Sequence, residues 1–228
     1  MKNYFIVIQS ILLIFISQLS FGQQIDYGSN NGKYLNIFNH QIYYEEYGEG
    51  TPLLLFHGGT GEIAHYKQVI PALANNFRVI AIDTPGHGRS ELPDTLSYQL
   101  EADYYSEFID ILKLDSVYVI GWSDGGIAAM LLAADRPDKV KRVMISGSNL
   151  GHSGYTDAGK QWVSKLTPEY VEKEAQGKKG ESYMSKAYEG NNFTDFILAG
   201  KKMWDQDPYV PIEKVNKIKK RWCKRNKQ

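Results

Sequence analysis

The sequence predicts an α/β fold, in which a mostly parallel sheet is covered by helices. Short apolar runs, such as PLLLF at residues 52–56, have the composition of strands buried on both faces. Stretches with helical spacing alternate with these runs, as they do where helices join parallel strands. The chain has 228 residues, of which 43% are hydrophobic, so it can bury one sizeable core.

The predicted elements follow one another in a regular order. A hairpin is expected around Asn39 and His40, because polar and apolar residues alternate on both sides. Ser97 is the expected N-cap of the longest helix, and Pro137 ends a later one. The predicted strands lie at residues 33–38, 41–47, 52–56, 77–83, 117–120 and 142–145, and the predicted helices at 66–75, 97–114 and 125–134.

Residues 1–22 have the pattern of an export signal. Lys2 precedes an apolar run at residues 4–16, and Ser20 and Gly22 are small residues before a cut ahead of Gln23. The run is shorter than the roughly 20 residues that a membrane span needs, which favours cleavage over anchoring. We therefore expect an exported chain, periplasmic or secreted, that keeps no stable membrane span after the cut.

The rest of the chain divides into three parts. Residues 23–150 are the predicted core. Residues 151–210 lack the regular alternation of strands and helices and are the predicted lid or cap. Residues 211–228 are predicted to return to the core and to end in a basic tail. Residues 1–212 hold 18 basic and 25 acidic side chains, a net charge of −7, so we expect no binding to nucleic acid. Cys223 is the only cysteine, so an intrachain disulfide is impossible.

The segment GWSDGG, at residues 121–126, carries the main functional signal. It follows a predicted strand and precedes a predicted helix, which is the context of a nucleophile elbow with Ser123 as the nucleophile. The backbone N–H of Asp124 is then one expected oxyanion donor. The loop HGGTG at residues 57–61 should supply the second donor from Gly59, with Thr60 as the alternative. The alternative interpretation is that both segments are only structural turns that contain glycine.

These motifs, together with DTPGHGRS at residues 83–90 and DRPDKV at residues 135–140, resemble the α/β-hydrolase family from about residue 41 to about residue 219. GWSDGG most resembles the valacyclovir hydrolase (biphenyl hydrolase-like) branch, in which the acid after the serine binds the substrate's α-amino group. Asp124 would be that carboxylate here, with Trp122 beside it as a further substrate-binding candidate; alternatively, Asp124 only caps its helix. HGG followed by a lid also resembles the proline iminopeptidases, although Thr60 stands where they carry a proline.

The resemblance also implies an acid and a histidine that this sequence does not supply in the expected places. In the family an acidic G-D-x-D turn follows the lid, and the histidine comes one strand later, whereas this chain reads RWCKRNKQ after residue 220. Asn149 stands where some relatives carry the acid, and His152 is the best of the five histidines. We therefore expect a C-terminally truncated member that lacks the last strands, has impaired activity and leaves an apolar sheet edge open to aggregation.

Three functions remain open at this point. The first is a serine hydrolase acting on a small-molecule carboxylic ester or amide, with an α-amino ester or a peptide as the finer alternative. The second is a non-catalytic binding protein whose pocket is lined by tryptophans and tyrosines, and the third is a nonfunctional truncation product. We expect no cofactor and no metal, because the sequence has no dinucleotide-binding, Walker or metal-ligand pattern.

Overall fold

The computed structural model describes Gly28, residues 31–170, residue 173 and residues 193–225. The predicted export signal at residues 1–22 lies outside these residues. No helix in the described part is both long enough and apolar enough to cross a membrane.

The described residues form a six-stranded sheet in the order β1-β2-β4-β3-β5-β6. β1 and β2 form an antiparallel hairpin, and β2 pairs antiparallel with β4. The remaining neighbours, β4 with β3, β3 with β5 and β5 with β6, are parallel. This arrangement confirms the predicted mostly parallel sheet. The strands are β1 (Lys33–Ile37), β2 (His40–Tyr47), β3 (Thr51–Phe56), β4 (Phe77–Ile82), β5 (Val117–Trp122) and β6 (Val140–Ser146).

Alternate residues of the central strands face two separate hydrophobic clusters. Leu54 and Phe56 of β3 belong to the larger cluster, with the second and third helices, while Leu53 and Leu55 belong to the smaller one. Because successive strand residues point to opposite faces, a wholly apolar strand needs cover on both sides. The α-helices are α1 (Ile70–Ala74), α2 (Tyr98–Ile111), α3 (Asp124–Asp135), α4 (Asp157–Lys165), α5 (Phe193–Trp204) and α6 (Ile212–Arg225).

Local signals account for most element boundaries. The Ser97 side chain accepts a hydrogen bond from the backbone N–H of Leu100 at 3.1 Å, as the predicted N-cap requires. Phe38 and Asn39 both have positive φ, at 50° and 66°, so the hairpin turn has the type I′ twist and lies one residue before its predicted place.

Two predicted elements differ from the structure. The helix predicted at 66–75 is only Ile70–Ala74, because Pro71 has no N–H to give and is accepted only in a first helical turn. Residues 63–66 form a separate 3₁₀ helix instead. In the predicted basic tail, Ile212–Arg225 form α6, which packs against α3.

β6 is the last strand on its side of the described sheet. Its outer residues are open to solvent, with Met144 exposed at 64% and Ile145 at 40%. Within the described residues this edge of the sheet is therefore open to solvent. Helix α5 comes from the predicted lid and packs over the loops that follow the strands, where the ring of Phe196 lies 4.5 Å from that of His87.

Candidate active site

Ser123 stands at a strained turn between β5 and α3. Its φ of 53° and ψ of −120° are a conformation that residues other than glycine rarely adopt. The turn is fixed from both sides, because the Ser123 N–H donates to the carbonyl of Ser146 at 2.8 Å and the Ser123 carbonyl accepts from the Ser148 hydroxyl at 2.7 Å. The hydroxyl of Ser123 is thereby carried at the carboxyl edge of the sheet and stays partly exposed.

The two glycines around Ser123 are required by close backbone approach. A Cβ on Gly121 would lie within 3.0 Å of the Gly125 carbonyl, and a Cβ on Gly125 would lie within 3.0 Å of the carbonyl oxygens of Phe56 and His57. The first turn of α3 therefore presses directly on the end of β3. This contact explains why small residues stand two positions before and two positions after the serine.

The HGG loop, residues 57–59, lies beside the serine turn. A Cβ on Gly58 would be 3.0 Å from the Cβ of Ser123. A Cβ on Gly59 would collide with the carboxylate of Asp124, so the backbone of Gly59 lies against that side chain. The structure thus brings together the two segments that were predicted to flank the oxyanion. Thr60, the alternative donor, has a positive φ of 57°.

His57 has a structural role in this loop. Its Nε2 accepts a hydrogen bond from the Thr84 N–H at 3.0 Å, which leaves Nδ1 to donate to the Gly58 carbonyl at 2.8 Å. Burial lowers the pKa of the His57 imidazole well below its usual value. A neutral ring with both nitrogens engaged holds the loop in place and has no position free for proton transfer.

Three further histidines also bond away from Ser123. His152, the best sequence candidate for a base, has Nδ1 3.1 Å from the carbonyl of Trp204. His40 bonds to the Tyr104 hydroxyl at 2.8 Å. The His87 Nδ1 lies 3.1 Å from the carbonyl of Pro85, and burial lowers the pKa of His87 to about 4. Within the described residues, no hydrogen bond joins an imidazole to the Ser123 hydroxyl.

Asp124 is buried under the predicted lid, with 6% of its surface exposed. Its Oδ2 accepts a hydrogen bond from the indole N–H of Trp204, on α5, at 2.6 Å. Burial raises the pKa of the Asp124 carboxyl, while the bond from Trp204 lowers it. Sequence reasoning singled out Asp124 but not this tryptophan contact, which spans 80 residues.

Glu101 is a buried acid that sequence reasoning missed. It is 1% exposed, on α2, and burial together with the charge of Asp124 raises the pKa of its carboxyl well above the usual value. A signal was available, because Tyr98, Glu101, Tyr105 and Phe108 follow the i, i+3, i+7, i+10 spacing of one helix face. That face is the buried one.

The tryptophans proposed as pocket residues have different environments. Trp122 is 47% exposed, and its ring lies 6.2 Å from that of His65, on the outer side of the serine turn. Trp162 is also exposed, whereas Trp204 is buried against Asp124. Trp204 therefore contacts Asp124, while the ring of Trp122 lies near Gly58 of the HGG loop, and its role in substrate binding stays a prediction.

Asp83 organises the loop that follows β4. Its buried carboxylate accepts hydrogen bonds from the backbone N–H groups of Ile63 at 2.8 Å and Arg89 at 2.9 Å. Burial raises the pKa of Asp83 to about 7, in spite of these bonds. The side chain ties the DTPGHGRS loop to the segment after the HGG loop. In the described part of the chain, no group of His, Cys, Asp and Glu is arranged to hold a metal ion.

Comparison with known proteins agrees with this geometry. The family model described as "alpha/beta hydrolase fold" matches residues 51–227. Haloalkane dehalogenase DbeA from Bradyrhizobium elkani USDA94 has a similar structure, with a TM-score of 0.65 and 19% identity over 82% of this chain and 74% of that one. The enol-lactonase from Burkholderia xenovorans LB400 has a TM-score of 0.64 and 18% identity over 82% of this chain and 77% of that one. At this identity the two likenesses show the fold alone.

Proteins with similar sequences are named as several kinds of hydrolase. Soluble epoxide hydrolase of Corynebacterium sp. (strain C12) is 39% identical over 110 residues, which are 48% of this chain and 38% of that protein. Pimeloyl-[acyl-carrier protein] methyl ester esterase of Aeromonas hydrophila is 31% identical over 105 residues, 46% of this chain and 41% of that protein. The matched segment thus spans less than half the length of these relatives. The family model covers most of the chain, and the chain belongs to the α/β-hydrolase fold family.

Proposed function

We propose that the chain is a serine hydrolase that acts on a small-molecule carboxylic ester or amide. The observation that carries this proposal is Ser123, held at φ 53° between β5 and α3 with the HGG loop against it. In this role the N–H groups of Asp124 and Gly59 hold the oxyanion that forms when the Ser123 oxygen attacks the substrate carbonyl. The names of the relatives, which include an esterase and an epoxide hydrolase, support hydrolytic chemistry.

We infer further that turnover by the described residues is slow. Attack by Ser123 requires a base to take the hydroxyl proton, and within the described residues no imidazole is hydrogen-bonded to the Ser123 hydroxyl. In subtilisin, loss of the histidine alone lowers kcat by about a millionfold, and about a thousandfold acceleration over water remains. We therefore expect substrate binding and stabilisation of the oxyanion to be retained, while most of the kcat is lost.

Covalent labelling tests the role of Ser123. A fluorophosphonate should form one adduct, in which the serine oxygen replaces fluoride on phosphorus, and peptide mass analysis should place it on Ser123. We expect Ser123→Ala to abolish labelling. Ser164→Ala, which changes a serine on α4 whose hydroxyl donates to the Gln161 carbonyl, is the matched control and should label at the parent rate. An adduct elsewhere would contradict the proposal, and rapid ester turnover by the parent chain would contradict the inferred impairment.

Resemblance to the valacyclovir hydrolase branch supports a finer proposal, that the substrate is an α-amino ester or a peptide. Asp124 follows Ser123 directly, and its buried carboxylate lies against Gly59 of the HGG loop. A carboxylate in this place attracts a positively charged group next to the carbonyl under attack.

Replacement of Asp124 by asparagine should remove the preference for amino esters. We expect p-nitrophenyl esters of L-valine to acylate Ser123 faster than those of isovalerate, and Asp124→Asn to reduce this rate ratio by about 10- to 100-fold, because a charge-assisted bond is lost. Intact-protein mass spectrometry follows the acyl adduct without the need for turnover. The isovalerate rate is the internal control, and an unchanged ratio would exclude amine recognition by Asp124.

A binding protein without turnover is the second candidate. The engaged histidines favour it, together with a site that is buried beneath α5 at Asp124 and Trp204. Tight binding of an ester or amide by a chain that never labels at Ser123 would support this candidate over the hydrolase.

A further inference from the structure

A cluster of buried polar side chains adjoins the serine turn. It consists of Tyr98 and Glu101 on α2 and Asp124 at the start of α3, with Trp204 of α5 as its cover; we call it the carboxyl pocket. Tyr98 and Glu101 are three residues apart and therefore lie one above the other on the same helix face. The charge of Asp124 acts on both of them. The cluster is thus one continuous site, and Asp124 joins it to the nucleophile.

One member of the carboxyl pocket, Glu101, has polar atoms without a partner in the part of the chain that the structure describes. Both carboxyl oxygens of Glu101 are buried and make no hydrogen bond within the described residues. Tyr98 is 2% exposed, and its hydroxyl bonds the carboxyl of Asp124 while keeping lone pairs that could accept a further hydrogen bond. Buried polar atoms are nearly always bonded in folded proteins, so an orphaned group of this kind indicates a bound species.

The chemistry of the carboxyl pocket selects the bound species. Two carboxyl groups and a phenol offer mainly acceptor oxygens and negative charge. A primary ammonium group brings three N–H donors and the opposite charge, which match in number and sign the acceptors of Asp124, Glu101 and Tyr98. A neutral group of the same size satisfies fewer of these atoms and leaves the carboxylates uncompensated in a buried place.

We propose that Glu101 is a second substrate-binding carboxyl, which together with Asp124 and the Tyr98 hydroxyl holds a primary ammonium group of the substrate. This inference rests on the proposed function, since it places the amino group of an ester or amide next to Ser123. It adds to that function a residue 22 positions earlier in the chain, on a different helix. It also explains why a glutamate lies on the buried face of α2.

Binding of an ammonium group at the carboxyl pocket should release a proton from Glu101. The ionisable groups that face Glu101 are Asp124 on α3 and the phenols of Tyr98 and Tyr105 on its own helix. Burial and the charge of Asp124 raise the pKa of Glu101 well above its usual value, which favours the neutral acid in the empty pocket. When an ammonium group enters, Glu101 ionises and releases its proton to solvent, and the charge of the pocket is balanced by the ligand.

Calorimetry with a matched pair of ligands tests the proposal. The probe is L-phenylalaninamide, and 3-phenylpropanamide is its analogue without the amino group; both are titrated at pH 6.5, where the probe amine is protonated. The protein is the full chain with Ser123→Ala, so that neither amide reacts. We expect Glu101→Gln to weaken binding of L-phenylalaninamide by about 10- to 100-fold and to leave 3-phenylpropanamide unchanged. Glu107→Gln, on the same helix, is the control and should change neither affinity.

Proton release provides a second readout. Titrations in two buffers of different ionisation enthalpy should show a proton released by the parent when L-phenylalaninamide binds and none released by Glu101→Gln. A merely structural role of Glu101 would lower both affinities alike and would leave proton release in place. Equal affinity of the parent and Glu101→Gln for L-phenylalaninamide would overturn the proposal, as would the absence of any preference for the amine in the parent.

The failure of this proposal and the failure of the hydrolase proposal are distinguishable. Labelling of Ser123 reports on the nucleophile alone, whereas the amine preference of the Ser123→Ala chain reports on the pocket alone. Folding of Glu101→Gln is checked by a thermal melt at pH 8. Because a raised carboxyl pKa lowers stability as the pH rises through it, we expect the variant to melt no lower than the parent. Should it not fold, Tyr98→Phe serves instead, with an expected severalfold loss of affinity for the amine alone.

Discussion

Alanine at position 125 is expected to disrupt both the fold and the nucleophile turn. Its Cβ would lie within 3.0 Å of the carbonyl oxygens of Phe56 and His57, which are backbone atoms of β3 and the loop after it. Neither atom can move unless the sheet or α3 moves. We expect Gly125→Ala to lower the free energy of unfolding by about 3 kcal/mol, because this overpacking outweighs the better helix propensity of alanine. Urea denaturation measures the loss.

The same substitution should slow reaction at Ser123. A shift of α3 moves the serine and the Asp124 N–H together, and a misplacement of about 1 Å can cost about a hundredfold in rate. Gly159→Ala, in the first turn of α4, is the matched control, since its Cβ would meet chiefly the ring of Tyr155, a side chain that can shift. We expect the control to lose less than about 1 kcal/mol. Equal losses in the two variants would show that the close approach at Gly125 does not define the turn.

Alanine at position 88 is expected to give the second large loss of stability. Gly88 has a φ of 49°, and its Cβ would collide with the carboxylate of Asp83. That carboxylate cannot turn aside without breaking its bonds to the N–H groups of Ile63 and Arg89. The left-handed backbone costs about 1 kcal/mol for alanine and the collision adds about 2 kcal/mol, so we expect about 3 kcal/mol in total.

Gly147→Ala separates the two causes. Gly147 has a similar φ of 67°, but the atom nearest its Cβ would be the Trp122 Nε1, at 3.3 Å on a half-exposed side chain that can give way. We expect a loss of about 1 kcal/mol from backbone strain alone. Thermal or urea denaturation of both variants gives the comparison, and a loss at Gly88 no larger than that at Gly147 would contradict the role assigned to Asp83.

Features with a local cause could be predicted from the sequence. Ser97 caps α2 because a serine before an apolar helix bonds the free N–H groups of its first turn, and no distant residue is involved. The serine turn was predicted from the spacing of Gly121 and Gly125 around Ser123, although the contact that requires Gly125 is with the distant residues Phe56 and His57. The exception is α1, where the spacing of apolar residues suggested a helix from residue 66, and the consequence of Pro71 was underestimated.

Features that depend on packing between distant elements were not predicted. The sequence around Glu101 looks like a solvated charged helix, and its burial depends on which face of α2 meets α3. Trp204 was one of several aromatic residues in a segment without clear pattern, and its contact with Asp124 exists only once α5 lies over the sheet. Sequence reasoning therefore found the serine turn and the HGG loop beside it but not the residues that pack above them.

The bond between Trp204 and Asp124 also orders events as the chain folds. It joins residues 80 apart, and closing a loop of that length costs roughly 4 kcal/mol of chain entropy. The contacts of β5 with α3 and β6 close much shorter loops and repay that cost earlier. We therefore expect β5, β6 and α3 to pack together before α5 docks. Before α5 docks, the Asp124 carboxylate is hydrated. The docking of α5 must therefore remove this water from the carboxylate.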